Sequence, residues 1–310
     1  MKAVSVINFK GGVTKTTLSL HLACFLSKSA KVLLVDIDHQ SSLSLVILGD
    51  RMWEAAVSAG NTVNKIFLSF SNRNVQMPGD EIVIKNVFHQ RQPNYNIYPN
   101  LDIVPAQFEL DDTEIDLAST FIGNPTISDW EKRVLLATWL DSISADTVYD
   151  YIIFDCPPAT KIVSQNALAA SDGYIVPVIP DELSSRGVTH FQSLVEQKID
   201  GKISYLMNAA QVTNPPVCYE EKTALVAIAP SLIKTSGAAA SGMVNIHTEQ
   251  LAALKKNWKG KVLPHTGKNY VSVPVAMAAG WPVWNYGNDS KAMTMMTNIC
   301  SEIKARIDAL

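Results

Sequence analysis

An α/β fold with a mostly parallel, twisted β-sheet flanked by helices is what this 310-residue sequence predicts. Three observations carry that expectation. An apolar strand, a Gly- and Thr-rich turn, a segment of helical period and a second apolar strand succeed one another near the start, the order of a βαβ unit. Further apolar runs of strand length recur later, separated by helical segments. The 47% hydrophobic content is that of a chain with a packed core.

In order along the chain, Val4–Ile7 reads as a short buried strand and Gly11–Thr17 as the turn after it. Leu18, Leu22, Phe25 and Leu26 lie at helical spacing, and the run from Lys31 to Asp36 is a second strand ending in an acid. Residues 51–96 mix Asn, Gly, Pro and aromatics, and are read as an elaboration on the sheet rather than a separate domain. Tyr151–Asp155, Gly173–Val178 and Ile203–Met207 read as buried strands, with helices over Ser164–Ala170 and Ser184–Gln197. Ile299, Ile303 and Ile307 form one stripe of a closing helix over Ile299–Leu310.

Charge and cysteine content narrow the function classes. Lys+Arg 26 against Asp+Glu 29 gives a net charge of −3, which excludes a uniformly basic nucleic-acid coat protein but not a local basic patch. The balance hides an asymmetry: Tyr98–Asp150 carries eleven acids and two bases, and Gln250–Tyr270 carries five lysines and no acid. The four cysteines form no C-x-x-C pair, which argues against a zinc site or a disulfide scaffold and for a reducing, cytoplasmic setting. No apolar run reaches the ~18 residues needed to span a bilayer, and the short apolar stretch at Ala3–Ile7 is no signal peptide.

The sharpest feature is Lys10-Gly11-Gly12-Val13-Thr14-Lys15-Thr16-Thr17, between a strand and a helix. Such a loop turns successive backbone N–H groups toward a polyphosphate, helped by the helix N-terminus. Gly11 and Gly12 let the backbone approach closely. Lys15 supplies a point charge for the β and γ oxygens, and the Thr16 hydroxyl a ligand for Mg²⁺. The loop departs from G-x-x-x-x-G-K-[ST] at Phe9 and Thr14 and matches the deviant Walker A pattern x-K-G-G-x-x-K-[ST].

On this loop the chain resembles the ParA/MinD family of deviant Walker A P-loop ATPases, and its ParA branch most closely. Other segments extend the resemblance over most of the chain. Val35–Gln40 is similar to the family's D-x-D-P-Q, Asn100–Ala106 to N-L-x-I-x-P-A, and Tyr149–Pro158 to Y-D-Y-I-I-x-D-x-P-P. Asn166–Val178 is similar to the segment that follows in ParA proteins. The resemblance implies a P-loop NTPase fold, with 1–310 as one ATPase domain that takes ATP and Mg²⁺. It implies that Lys10 acts in trans across an ATP-dependent sandwich homodimer and that Asp38 orients the attacking water. Thr16 and Asp155 would hold Mg²⁺ with Asp36 in support. Asn208, at the end of the 203–207 run, would read adenine, and Pro264 would frame it. Together with the loop residues Gly11–Thr17, these are the expected nucleotide-binding positions.

Three further residues invite functional readings. If position 14 demands φ > 0, a β-branched Thr14 is strained by ~1–3 kcal/mol; the deviant pattern leaves the position free, and the loop is expected to tolerate Thr. His39 is read as a polar turn residue and Cys156 as a small packing residue. The ParA resemblance implies a partition switch that binds double-stranded DNA without sequence preference in the ATP state, on the nucleoid, and answers to a ParB-like adaptor. Lys255, Lys256, Lys259, Lys261 and Lys268 are the expected DNA contacts. With the loop at residue 10, no N-terminal helix-turn-helix and no operator binding are expected. The alternatives are a MinD-like membrane switch, which the balanced charge of Ser301–Leu310 disfavours, or a ParA-like ATPase that positions another cargo.

Overall fold

The computed structural model describes residues 1–94, 97–181, 184–234 and 245–310. Six strands form one parallel sheet: β1 (Lys2–Val6), β2 (Val32–Asp36), β3 (Leu101–Val104), β4 (Tyr151–Asp155), β5 (Gly173–Val178) and β6 (Ala224–Pro230), in the order β3-β2-β4-β1-β5-β6. Every pairing between these six strands is parallel, so all their carboxyl ends share one edge. Side chains alternate across the pleat. Leu33, Val35, Ile152 and Phe154 enter the core on one face, while Val32, Leu34, Tyr151 and Ile153 enter the core on the other. Both faces are covered by helices, as a fully parallel sheet requires.

Helix α1 (Lys15–Leu26) follows β1, and α2 (Ser42–Ser58) follows β2. Most of α1 is buried, including Leu18, Leu20, Leu22, Ala23, Cys24 and Leu26, so it is a central helix rather than a one-sided surface helix. The closing helix runs over Ser290–Ile307 and buries Ile299, Ile303 and Ile307. The 51–96 elaboration contributes to both cores, Val63 and Phe67 to one and Val87 and Phe88 to the other. Residues 95 and 96 of that segment lie outside the described residues.

One expected strand is a helix. Gly201–Ala209 is α-helical, with Ile203 and Leu206 buried three residues apart. A short apolar run fits a buried strand and a half-buried helix equally well. The sixth strand is instead Ala224–Pro230, whose Leu225–Ala229 are buried.

Candidate active site

The turn from β1 into α1 lies at the carboxyl edge of the sheet, between the ends of β4 and β5. Gly12 has φ +70°, a conformation that glycine adopts without steric cost. Thr14, the residue capping α1, has φ 72° and ψ 25°. Position 14 therefore does demand a left-handed backbone, and the strain the sequence reading took the loop to avoid is present.

Lys15 is buried, and its Nζ lies 3.4 Å from the Lys10 carbonyl. Burial lowers its pKa, and the carboxylates of Asp155 and Asp38 pull it back up. In the sheet register Asp36 and Asp155 are direct partners, so two buried carboxylates end adjacent strands beside the loop. Burial, with charge from the neighbouring carboxylates, raises both pKa values.

The two acids are bonded very differently. Asp36 Oδ1 accepts from the Asp38 N–H at 3.1 Å, and Oδ2 accepts from the Ser44 N–H at 2.9 Å and the Ser44 hydroxyl at 2.6 Å. Ser44 Oγ in turn accepts from the Ala106 N–H at 2.9 Å. Asp36 thus organises the turn that carries Asp38 and ties β2 to the chain beyond β3. Asp155 Oδ1 accepts from the Ser19 hydroxyl at 2.8 Å. Its Oδ2 is buried with no hydrogen-bond partner among the described residues. An orphaned carboxylate oxygen beside Lys15 and the Thr16 hydroxyl is a donor set that suits Mg²⁺.

Asp38 is buried and accepts the Gln40 N–H at 3.0 Å, an Asx turn that fixes its carboxylate. His39 Nδ1 lies 3.8 Å from Asp38 on a side chain that is partly exposed. Lys10 is half-exposed and pairs with Asp181, beyond the end of β5 of its own chain. Cys156 is fully buried in the core, where burial pushes its thiol pKa up.

Next to the loop, a cavity of about 120 Å³ opens between Leu18 of α1, Pro230 and Ser231 at the end of β6, Tyr270, Val273 and Met296. Its outer wall is the segment 267–270, which continues the parallel pairing along the edge of β6. The Gly267 N–H donates to Pro230 O at 2.7 Å, and the Ile233 N–H to Gly267 O at 2.9 Å. A Cβ on Gly267 would stand 3.2 Å from Ser231 Cα and 3.3 Å from Pro230 O, so any other residue would press the two backbones apart by a few tenths of an ångström.

Neither residue expected at adenine lines this cavity. Asn208 is exposed on the Gly201–Ala209 helix, and its amide Nδ2 donates to Ser204 O at 2.9 Å. That helix adjoins the amino end of β6, where Ser204 and Ala224 share a depression. Pro264 follows the residues paired with β6, as the sequence suggested, but it is exposed on an outer depression three residues short of the wall. The five lysines are also dispersed. Lys255, Lys256 and Lys259 are exposed at the end of the Asn245–Asn257 helix and just beyond it. Lys261 Nζ donates to Leu225 O at 2.7 Å near the start of β6, while Lys268 lies past its other end, at the cavity.

Ser19, Ser44, Ser231 and the 267–270 wall escape a sequence reading. Ser19 lies one helical turn beyond Lys15, a spacing that could have flagged it. The other three gain their roles through contacts distant in sequence.

The family model that matches residues 1–207 is described as an AAA domain. The sporulation initiation inhibitor protein Soj of Bacillus subtilis is 31% identical over 195 residues, which cover 63% of this chain and 64% of Soj. The chromosome partitioning protein ParA of Caulobacter vibrioides is 26% identical over 198 residues, 64% of this chain and 63% of ParA. The match thus spans just under two thirds of either relative. Apo McdA of Cyanothece superposes with a TM-score of 0.67 at 19% identity, covering 99% of both chains, which is a likeness of fold. The chain belongs to the AAA-domain family matched by its first 207 residues and, with Soj and ParA among its relatives, to the ParA family.

Proposed function

We propose that this chain is an ATP-hydrolysing switch of the partition type, which dimerises on ATP and releases its partner after hydrolysis. The observation that carries the reading is the buried Lys15 beside Asp155, whose Oδ2 has no partner among the described residues, under a glycine-rich loop at the carboxyl edge of the sheet. Lys15 and the loop N–H groups bind the phosphates, and positioning of this kind accounts for most of phosphoryl-transfer catalysis. Thr16 and Asp155 would hold Mg²⁺, with Asp36 setting the strand-end geometry. When bound, the ion neutralises charge on the β and γ oxygens. Asp38, fixed by its turn, orients the attacking water. In this reading Lys10 leaves Asp181 and reaches the nucleotide of a second copy.

The partner reading rests on the names of the relatives and on exposed cations. Lys255, Lys256 and Lys259 offer a sequence-independent contact to DNA phosphates. A ParB-like adaptor is the proposed trigger of hydrolysis, with the protein cytoplasmic and on the nucleoid in its ATP state. A membrane-tethered switch is disfavoured because the closing helix buries its isoleucine stripe against the sheet. Among the described residues no helix is long and apolar enough to cross a membrane.

Asp38→Ala gives the test. It is expected to dimerise on ATP and hold double-stranded DNA at low salt, while hydrolysis falls by about 10²-fold or more. Light scattering, filter binding across a salt series and phosphate release measure the three. Normal turnover would remove Asp38 from its role, and indifference of the ATP-bound protein to DNA at low ionic strength would end the DNA-carrier reading.

A further inference from the structure

Ser231, the first residue beyond β6, is buried, and its hydroxyl has one hydrogen to give. Two carbonyls are in reach, Val13 O at 3.0 Å and Val178 O at 3.3 Å. Val13 O is the nearer, and Val178 O already accepts the Ser231 N–H at 2.7 Å, so the hydroxyl's main partner is Val13. Ser231 is itself anchored, because the preceding carbonyl of Pro230 accepts the Gly267 N–H at 2.7 Å.

The Val13 carbonyl and the Thr14 N–H belong to one planar trans peptide and point in opposite directions. Holding the carbonyl on Ser231 therefore turns the Thr14 N–H away from the end of β6. The same peptide orientation sets Thr14 at φ 72°, where a β-branched residue is a steric outlier. Turning the peptide over would carry Thr14 to a φ of about −110°, out of the left-handed region. The local preference of Thr14 thus pulls against the orientation that Ser231 holds. Leu232, on the other side of the contact, is left-handed as well, with φ 52°, so strain flanks the bond on both partners.

We propose that Ser231 is a positioning residue for nucleotide binding: its hydroxyl holds the Val13–Thr14 peptide in the strained orientation that presents the Thr14 N–H to phosphate. The proposal rests on the ATP-binding reading above and adds a residue from the cavity beside the loop to the phosphate machinery. A contact that served packing alone would not depend on which residue occupies position 14. This one does, because glycine at φ > 0 carries no strain for the bond to oppose.

The experiment is a double-mutant cycle with Ser231→Ala and Thr14→Gly, read by ATP titration calorimetry and, without nucleotide, by thermal unfolding. Ser231→Ala is expected to weaken ATP binding about tenfold in the wild-type background and less than about threefold in the Thr14→Gly background. Ser231→Thr, which keeps the hydroxyl, is expected to retain the affinity. The thermal cycle is expected to couple in the opposite sense. Ser231→Ala lowers Tm less in the wild-type background, where a flipped peptide relieves Thr14, than in the Thr14→Gly background. Ser231→Cys, a weak donor of similar size, replaces Ser231→Ala if that variant does not fold. Equal losses of affinity in the two backgrounds, or none, would overturn the proposal. If the wild type binds no ATP, the nucleotide reading falls by itself; the thermal cycle then still decides, and equal Tm losses overturn the held-peptide inference.

Discussion

In the reading proposed above, the phosphate end of the site is the loop and the base end would be the cavity beside it; the two sit side by side at one edge of the sheet, yet they are built in different ways. The phosphate end comes from one contiguous stretch, Lys10–Thr17, and from the last residues of β2 and β4. The base end draws on Leu18, Ser231, residues 267–270 and Met296, which are scattered over most of the chain. The first kind of site is encoded by local spacing. The second exists only once a distant segment has docked along β6. Chemistry carried by one loop is therefore legible before folding is known, whereas chemistry carried by edge pairing is not.

The sharpest way to test the local half is Lys15→Ala. The substitution removes the buried cation beside Asp155 and Asp38 and leaves the strand-end carboxylates without it. ATP affinity is expected to fall by more than about 100-fold, since charge-assisted contacts to phosphate are the strong ones. Nucleotide titration measures it. A loss under about tenfold would mean that the loop N–H groups bind phosphate largely without the lysine.

The distributed half is tested by Gly267→Val, paired with Asn208→Ala as its control. A Cβ at 267 stands tightly against Ser231 Cα and Pro230 O, and the branched side chain of valine is expected to press the 267–270 wall away from the end of β6. ATP affinity is expected to drop about tenfold, while competition by inorganic triphosphate, which needs no base pocket, changes little. Asn208→Ala should leave ATP binding unchanged, because Asn208 is exposed on a helix beside the amino end of β6. The reverse pattern would restore Asn208 and remove the wall.

How far the sequence could be read follows the same division. Four of the six strands were legible, because runs such as Val32–Asp36 and Tyr151–Asp155 are apolar throughout and end at motif residues. The error at 203–207 arose because an apolar run of five is compatible with either period, and no local feature arbitrates. Asn208 therefore lies on a helix and not at a strand end. The lysines of 255–268 look like one cluster in sequence, but the chain runs alongside β6 and carries Lys261 and Lys268 to opposite ends of a strand. Within the phosphate loop the residue types were clear but the backbone of Thr14 was not, since a left-handed φ is set by the surrounding contacts.

His21 ties the phosphate loop to Val283, in the segment ahead of the closing helix. It lies on α1, fully buried, with Nδ1 2.7 Å from Thr17 O behind the phosphate loop. Its Nε2 accepts the N–H of Val283 at 3.0 Å, so the neutral ring with the proton on Nδ1 is the form that fits. Burial lowers its pKa from 6.5 to about 4. Between these values the unfolded chain binds more protons than the folded one, so stability falls as pH drops from 6.5 toward 4 and is flat above. The loss assigned to this residue is on the order of 3 kcal/mol. Urea unfolding of wild type and His21→Gln at about pH 7.5 and about pH 4.5 isolates it as the difference between their pH dependences. Parallel curves would mean that the ring is protonated in the fold and that its link between Thr17 and Val283 is not the neutral one.

The smallest expected effect concerns Thr14 by itself. Its left-handed conformation costs of order 1–3 kcal/mol in a β-branched residue, and glycine removes that cost. Glycine also widens the conformational freedom of the unfolded chain, which takes back roughly 0.4–1 kcal/mol. Thr14→Gly is therefore expected to stabilise the nucleotide-free protein by about 1 kcal/mol, read as a higher urea midpoint at unchanged slope. A stability gain confined to this position would show that the phosphate loop stores strain in the absence of ligand. A loss would mean that the Thr14 side chain makes compensating contacts, and the loop would then be an unstrained local motif after all. The sign of this one change decides whether the phosphate end is set wholly by its own eight residues or is held in place by the base end beside it.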